Sequence, residues 1–428
     1  MCGITGIYAK NNAGEQFFDC VESAVGKLNK RGPDSTGIFS HQRVRLGHSR
    51  LSIIDTSSAA SQPFTEKTGR YTIVFNGEMF NFKECRADLE RHNISFSSSS
   101  DTEVLLQMYI RDGARCLDKI QGFFAIAIFD KEEETLFVAR DRYGKKPLLY
   151  FDSPEAFVFA SEMKALLEYG INREIDSESI LSYLQLNYIP APHSIFRNVK
   201  KLMPGQYVNI STSNIEFKQY YKINTIVSDQ ISYKQAQDQL VSLMDESVRK
   251  RLISDVPLGA FLSGGIDSSV VVALASRHVD QLQTFSIGFK DEPFFDETYY
   301  ANLVAKKFNT KHTVFSLTNK DMYDSLFDAI DYIDEPFADS SALAVYILSK
   351  HTRQHVTVAL SGDGADEMFA GYHKHMAHYR ALSRPFSNQL VKLSLPFLQY
   401  IPQSRNSKLS NIAGDVSRWG AGWNDDSP

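Results

Sequence analysis

The spacing of hydrophobic and polar positions changes along this chain and divides it into two parts. Up to about residue 162, apolar residues alternate with polar ones over short segments, which is typical of β-strands. Helical spacing is found at Phe18–Leu28 and Thr102–Arg111. Many strands with few helices predict two packed sheets covered by helices. The predicted strands are Ile4–Tyr8, Tyr71–Phe75, Phe123–Phe129, Thr135–Ala139 and Leu148–Phe151.

The second part follows a polar, proline-containing region and has a different pattern. Tyr233–Arg251 has the spacing of an amphipathic helix, and strand-like apolar runs then alternate with helical segments. This alternation predicts a parallel sheet with its ligand at the carboxyl ends of the strands. The predicted strands are Val256–Leu262, Gln283–Phe289 and Val356–Leu360, with a helix at Val270–Ala275. We therefore predict two domains, residues 1–222 and 233–428, joined by a linker at 223–232.

Composition narrows the class of protein. The net charge of −5 provides no basic surface for nucleic acid. No segment is typical of a signal peptide or a membrane span. The four cysteines are scattered without a C-x-x-C pair, which fits a reducing compartment. We expect a cytoplasmic protein with small-molecule substrates and without nucleic-acid or membrane partners. A homodimer is compatible with these features.

The first candidate for chemistry is the cysteine in second position. Once Met1 is removed, the Cys2 thiol lies beside a free α-amino group, which places a nucleophile and a base on one residue. Four loop motifs follow in order: GHSRLSI at 47–53, NGEMFN at 76–81, SDTE at 100–103 and RDRYG at 140–144. Taken alone, Asn76-Gly77 is typical of a hairpin turn and Asp101 of a helix N-cap.

Together with RGPD at 31–34, this ordered set resembles the class II glutamine amidotransferase domain of the asparagine synthase (glutamine-hydrolysing) family. The resemblance implies a four-layer αββα N-terminal-nucleophile (Ntn) hydrolase fold that converts glutamine to glutamate and ammonia. It implies that Cys2 is the nucleophile and that Asn76 and Gly77 donate to the oxyanion. The implied glutamine-binding residues are Arg50 for the carboxylate, Asp101 for the ammonium group, and Leu51, Ile53, Asn76, Gly77 and Glu78.

The second candidate for chemistry is the Gly-rich loop at 263–269, SGGIDSS, between a predicted strand and a predicted helix. Its small residues leave room for phosphate, its hydroxyls are donors, and Asp267 can hold Mg²⁺. The Walker pattern G-x-x-x-x-G-K-[ST] is absent. The loop resembles the PP-loop of ATP pyrophosphatases, whose sheet is doubly wound. The resemblance implies that Asp363 contacts the acyl-adenylate and that Asp267 and Asp366 bind Mg²⁺. The residues that it implies for contact with ATP are Leu262, Ser263, Gly264, Gly265, Asp267, Ser268, Ser269, Ile287, Ser361 and Gly362.

The implied activity is that of an AMP-forming carbon–nitrogen ligase, which uses glutamine and ATP to convert aspartate to asparagine. Two departures from the family pattern leave alternatives open. Asp363 replaces the Glu of the best-known members, as in relatives that amidate other carboxylates such as polysaccharide sugar acids. The family's C-terminal lysine region is not found before Pro428, so we expect a truncated sequence or a glutaminase with an inactive synthetase half. The acidic run Asp334-Glu335-Pro336 is expected near the acceptor.

Overall fold

Two antiparallel six-stranded sheets form the N-terminal half of the chain. The computed structural model describes residues 1–224 and 231–383. Two segments lie outside the described residues: 225–230, which belongs to the predicted linker, and 384–428, which includes the chain end discussed above. The strands of this half are β1 (Gly3–Ala9), β2 (Ser35–His41), β3 (Val44–Arg50), β4 (Phe64–Thr65), β5 (Tyr71–Met79), β6 (Gly122–Asp130), β7 (Thr135–Arg140), β8 (Leu149–Asp152), β9 (Ala156–Ala160), β10 (Val199–Lys201), β11 (Gln206–Ile210) and β12 (Ile215–Gln219). The strand orders are β10-β8-β9-β1-β3-β2 and β12-β11-β7-β6-β5-β4.

Helices cover the outer faces of both sheets. They are α1 (Cys20–Lys27), α2 (Phe82–Arg91), α3 (Asp101–Asp112) and α4 (Met163–Leu166); a further helix, α5 (Ser177–Leu186), follows in the chain. One buried cluster joins α1 and α4 to the first sheet, a second fills the space between the sheets, and a third joins α2 and α3 to the second sheet. In β1, Ile4 and Tyr8 face the space between the sheets and Ile7 faces the helices, as the two-residue period of a strand requires. The predicted αββα arrangement is confirmed.

A parallel sheet of four strands forms the second half, in the order β15-β14-β13-β16. Its elements are α6 (Tyr233–Arg251), β13 (Leu258–Phe261), α7 (Ile266–Ala275), β14 (Gln283–Phe289), α8 (Thr298–Lys307), β15 (Lys311–Leu317), α9 (Asn319–Ile330), α10 (Ser341–Thr352), β16 (Val358–Leu360), α11 (Ala365–Phe369) and α12 (His373–Ser383). Helices α6, α7 and α8 share one apolar cluster with β13. On the other face, Phe315 stacks on His351 of α10 at 5.1 Å. The predicted doubly wound parallel sheet is confirmed.

Helix α6 has the bounds that its spacing predicts, because its start has a complete capping box. The Ser232 side chain accepts from the Gln235 N–H group, and the Gln235 side chain accepts from the Ser232 N–H group. Although α6 has 19 residues, its hydrophobic residues are confined to a stripe. Across residues 1–224 and 231–383, none of the helices combines the length and the apolar character that crossing a bilayer requires.

Two helices begin earlier than their hydrophobic residues indicate. Helix α3 starts at Asp101, and its N-cap is Ser100, whose side chain accepts from the Glu103 N–H group. The N-cap interpretation of Asp101 is therefore wrong by one residue, and its carboxylate is left available for another role. Helix α7 starts at Ile266, inside the Gly-rich loop, rather than at Val270. Polar first turns explain both differences, since apolar spacing does not detect them.

Candidate active site

Cys2 lies at the start of the strand that occupies the middle of the first sheet. Strand β1 is hydrogen-bonded to β3 on one side and to β9 on the other, so the residue before it has little freedom. The Leu51 N–H group donates to Cys2 Sγ at 3.4 Å, and Arg31 Nε donates to the Cys2 carbonyl at 2.9 Å. Burial raises the pKa of the Cys2 thiol, and the Leu51 hydrogen bond opposes this rise. The fold thus holds both the main chain and the side chain of the predicted nucleophile.

The α-amino group of this chain belongs to Met1 and lies next to the thiol. Burial lowers the pKa of this amine from its ordinary value of 8.0 to about 5. An amine with that pKa is uncharged at neutral pH and can therefore accept a proton. Removal of Met1 would transfer the α-amino group to Cys2, which is the arrangement that the sequence predicts.

Strand β5 carries the two predicted oxyanion donors into the space beside Cys2. Asn76 is fully buried, its Nδ2 donates to Ser161 Oγ at 3.4 Å, and its Oδ1 has no hydrogen-bond partner among the described residues. Gly77 has no room for a side chain, because a Cβ atom there would lie 2.2 Å from the Phe123 carbonyl oxygen. The close packing of β5 on β6 at this point requires glycine.

The predicted glutamine-recognition groups Arg50 and Asp101 have opposite charges and border the same cavity. Arg50 is buried and donates to the carbonyls of Asp55 at 2.5 Å and Ser57 at 3.0 Å. Among the described residues, these two bonds use two of the five N–H groups of its guanidinium. Burial raises the pKa of Asp101 from 3.8 to about 6, although its Oδ2 accepts from the Met79 N–H group at 3.0 Å.

Glu78 is the second carboxylate of this pair. Burial raises the pKa of Glu78 from 4.5 to about 7, and the nearby charge of Asp101 adds to the rise. A carboxylate whose proton affinity is raised by burial and by a second carboxylate is a favourable place for a cation, because an ammonium group offsets the negative charge.

One cavity joins these groups. It has a volume of about 230 Å³, and all eight residues predicted as catalytic or glutamine-binding border it. They are Cys2, Arg50, Leu51, Ile53, Asn76, Gly77, Glu78 and Asp101. Part of the wall comes from the second domain, at Thr357, Val358 and Ala359 of the β16 region. The cavity therefore lies where the two domains meet, which sequence reasoning did not predict.

Three further residues at this site were missed by sequence reasoning. Gln62 accepts from the Phe75 N–H group at 2.6 Å and donates to Thr102 Oγ1 at 3.1 Å, so it joins the strand of Asn76 to the helix of Asp101.

Lys146 borders the cavity and follows the RDRYG motif by two residues, a position that could have indicated its role. Burial lowers the pKa of Lys146, and the charge of Arg31 adds to this. Nothing in the sequence around Ser161 indicates its contact with Asn76.

The second predicted site lies at the carboxyl end of β13. Gly264 has a φ of 92°, and a Cβ atom there would lie 2.6 Å from the Ala301 backbone nitrogen, so the turn requires glycine. Ser263 Oγ lies 3.0 Å from Ser268 Oγ and accepts from the Gly265 N–H group at 3.2 Å. The Ser269 hydroxyl is buried without a hydrogen-bond partner among the described residues. An open turn with an unsatisfied hydroxyl fits a phosphate ligand.

The loop after β16 packs against this turn. A Cβ atom at Gly362 would lie 2.9 Å from the Ser268 backbone nitrogen, and Ser361 Oγ donates to Asp363 Oδ2 at 2.8 Å. Burial raises the pKa of Asp267, and the charges of Asp366 and Glu367 add to the rise, so the two predicted metal ligands are close enough to interact electrostatically. Leu262 is buried at the end of the β13 region, and Ile287 lies on the adjacent β14.

The carboxylates of this second site suit a divalent ion that also binds phosphate. The described residues contain no group of three or more His, Cys, Asp or Glu side chains that could hold a metal by themselves. Mg²⁺ is commonly held by one or two carboxylates together with substrate phosphates. The pair Asp267 and Asp366 therefore fits Mg²⁺ bound with a nucleotide.

The fold and the first cavity define an Ntn-type amidotransferase domain joined to a parallel-sheet domain with a phosphate-binding type of loop. Residues 1–221 match the glutamine amidotransferase domain family, and residues 239–424 match the asparagine synthase family. The chain belongs to the asparagine synthase (glutamine-hydrolysing) family. It is 36% identical over 409 residues to a Methanocaldococcus jannaschii protein assigned provisionally as asparagine synthetase [glutamine-hydrolyzing] 2. It is 36% identical over 385 residues to asparagine synthetase [glutamine-hydrolyzing] 1 of Bacillus subtilis.

The chain covers these relatives to different extents. The alignment with the M. jannaschii protein includes 89% of this chain and 77% of that protein. The alignment with the B. subtilis protein includes 87% of this chain but 59% of that protein, so the chain spans little more than half of its length. A solved structure of glutamine phosphoribosylpyrophosphate amidotransferase from B. subtilis has a TM-score of 0.41 and 14% identity, over 84% of this chain and 90% of that one.

Proposed function

We propose that this chain is a glutamine-dependent asparagine synthetase. The observation that carries the proposal is the cavity in which a buried thiol, a buried amide, a guanidinium group and two carboxylates border one space of about 230 Å³. Free glutamine has groups complementary to all of them. Its carboxylate suits Arg50, its ammonium group suits Asp101 and Glu78, and its side-chain amide then extends toward Cys2.

Hydrolysis of glutamine would proceed through a thioester. The Cys2 sulfur forms a bond to the side-chain amide carbon, and the thiol proton passes to the adjacent α-amino group. Negative charge develops on the carbonyl oxygen, where Asn76 Nδ2 and the Gly77 N–H group stabilise it. When the C–N bond breaks, ammonia leaves with the transferred proton. Water then cleaves the thioester, which releases glutamate and restores the thiol.

The second domain would activate the acceptor. The turn at 263–269 and the loop beginning at Ser361 provide backbone N–H groups and hydroxyls for the phosphates of ATP. The acceptor carboxylate attacks the α-phosphorus, pyrophosphate leaves, and ammonia displaces AMP from the acyl-adenylate to form the amide. Asp267 and Asp366 would hold Mg²⁺, which when bound would supply positive charge to the phosphates.

Asp363 supports a second candidate acceptor. Its side chain is one methylene shorter than the glutamate of the best-known family members, and Ser361 Oγ donates to it at 2.8 Å. A shorter carboxylate leaves room for a larger acceptor than aspartate, such as a sugar acid. The third candidate, a glutaminase with an inactive synthetase half, applies if no acceptor supports AMP formation.

The remaining expectations belong to the same proposal. We propose domain boundaries at residues 1–222 and 233–428 with a linker at 223–232. All four cysteines are free, which supports the cytoplasm as the place where the protein acts. A homodimer stays a prediction that sedimentation can test.

The experiment is to measure AMP, pyrophosphate and glutamate release from ATP, Mg²⁺ and glutamine, with and without aspartate. Aspartate-dependent AMP together with asparagine is the expected result. Glutamate without aspartate-dependent AMP would reject aspartate as the acceptor, and a panel of sugar acids would then separate the second candidate from the third. Cys2→Ala is the control, because it should abolish glutamate release.

A further inference from the structure

Four consecutive residues after β9, at 161–164, contact the Cys2 centre on one side and the second domain on the other. The first of them, Ser161, is fully buried. Its hydroxyl accepts from the Ile4 N–H group at 3.0 Å and from Asn76 Nδ2 at 3.4 Å, and its own N–H group donates to the Ile4 carbonyl at 2.8 Å. Ser161 therefore holds both the strand that begins after Cys2 and a predicted oxyanion donor.

The next residue, Glu162, connects to the nucleophile through an ion pair. Arg31 donates from Nη1 to Glu162 Oε1 at 3.0 Å and from Nε to the Cys2 carbonyl at 2.9 Å. Both side chains are nearly buried, with 11% and 12% of their surface exposed. A charge pair shielded from water keeps its geometry better than an exposed one, so Glu162 determines where Arg31 holds Cys2.

The last two residues are bound by a carboxylate from the second domain. Asp334 accepts from the Met163 N–H group through Oδ2 and from the Lys164 N–H group through Oδ1, the latter at 3.1 Å. Lys164 Nζ also donates to the Asp331 carbonyl at 2.9 Å. The acidic run that the sequence analysis associates with the acceptor thus contacts the N-terminal domain.

We propose that Asp334 is a positioning residue for the Cys2 centre, supplied by the second domain. By binding two successive N–H groups, its carboxylate fixes the main chain next to Glu162 and, through Arg31, the Cys2 carbonyl. The inference rests on the proposed glutaminase function of Cys2. Arg50 and Asp101, the proposed glutamine-binding residues, lie on β3 and α3, outside this set of contacts. We therefore expect a change at Asp334 to affect kcat rather than KM for glutamine.

Two ion pairs also attach the same loop to the N-terminal domain, and the basic partner of each lies outside residues 161–164. Glu335 pairs with Lys201 of β10, and Asp331 pairs with Lys30. Lys201→Met therefore weakens the attachment of the loop while leaving the Asp334 contacts in place. Lys201→Met is therefore the matched control. It tests whether Asp334 acts only by holding the two domains together.

The test measures glutamate release by the full chain as a function of glutamine concentration, for the original protein, Asp334→Ala, Asp334→Asn, Lys201→Met and Cys2→Ala. Asp334→Ala should lower kcat about tenfold and leave KM for glutamine within about twofold. Asp334→Asn keeps the side-chain volume and one acceptor oxygen, so it should recover part of kcat even if the alanine variant fails to fold. Lys201→Met should leave kcat within about twofold.

Three results would overturn the inference. An Asp334→Asn protein with unchanged kcat shows that the carboxylate does not position the centre. Equal losses in the Asp334 and Lys201 variants show that only domain attachment matters. Absence of Cys2-dependent glutamate release from the original protein refutes the proposed function and this inference with it, whereas the first two results refute the inference alone.

Discussion

Replacing Glu78 with glutamine should stabilise the ligand-free protein at alkaline pH and weaken its binding of glutamine. Glu78 lies in the cavity wall, where burial and the charge of Asp101 raise the pKa of its carboxyl to about 7. A carboxylate kept in such a place costs stability whenever it is ionised and no cation is bound. The same charge is useful when an ammonium group arrives, so stability and ligand binding oppose each other at this residue.

The sign and size of the effect follow from the two protonation equilibria. In the unfolded chain Glu78 loses its proton near its ordinary pKa of 4.5, and in the folded chain near 7. The free energy of unfolding therefore falls as pH rises between these values and is constant above them. The full difference corresponds to about 3 kcal/mol. Glu78 is partly exposed, so solvent screening reduces the expected loss to about 1–2 kcal/mol.

Urea unfolding of the original protein and Glu78→Gln at pH 5 and pH 8 measures this loss. At pH 8 the variant should be more stable by about 1–2 kcal/mol, and at pH 5 the difference should shrink below about half of that. Glu15→Gln, at an exposed position, is the control and should show no such pH dependence. Identical pH dependence of the original protein and Glu78→Gln would refute the reasoning, as would an unchanged KM for glutamine at pH 8.

Three further substitutions probe other contacts. Arg50→Lys keeps the charge but removes the paired donors, so KM for glutamine should rise about 10–100-fold in glutamate-release assays, and an unchanged KM would contradict the assigned role. Gly371→Ala would place a Cβ atom 1.8 Å from Asp366 Oδ1, so AMP formation should fall on the order of 100-fold while glutamate release continues. Gly26→Ala, where nothing lies within 4 Å, is its control. Ser161→Ala removes an acceptor from two buried donors and should destabilise the protein by about 1–3 kcal/mol in urea unfolding, whereas a change below about 0.5 kcal/mol would argue against it.

Much of the fold could be predicted from the sequence because local patterns determine it. The two-residue period of β1 and the capping box of α6 are contained in a few neighbouring residues. Family membership was also predictable, since the ordered motifs are specific as a set. The roles of Arg50 and Asp101 stay predictions, although both residues border the cavity as expected.

The contacts that hold the site together could not be predicted in the same way. Ser161 is 85 residues from Asn76, and Asp334 is 171 residues from Met163. Neither belongs to a local pattern, because a hydroxyl or carboxylate gains such a role only when the fold brings a distant donor to it. The expectation that Asp334 lies near the acceptor stays a prediction. An acidic loop by itself does not identify its partners, so the contacts of Asp334 with Met163 and Lys164 could not be predicted.

Strand β16 shows why the two halves are difficult to understand separately. It has three residues, Val358–Leu360, and its beginning borders the cavity of Cys2. The next residue, Ser361, opens the loop that packs against the Gly-rich turn of the second domain. A strand rises about 3.3 Å per residue, so about 7 Å of main chain separates Ala359 in the cavity wall from Ser361 at the start of the other candidate site.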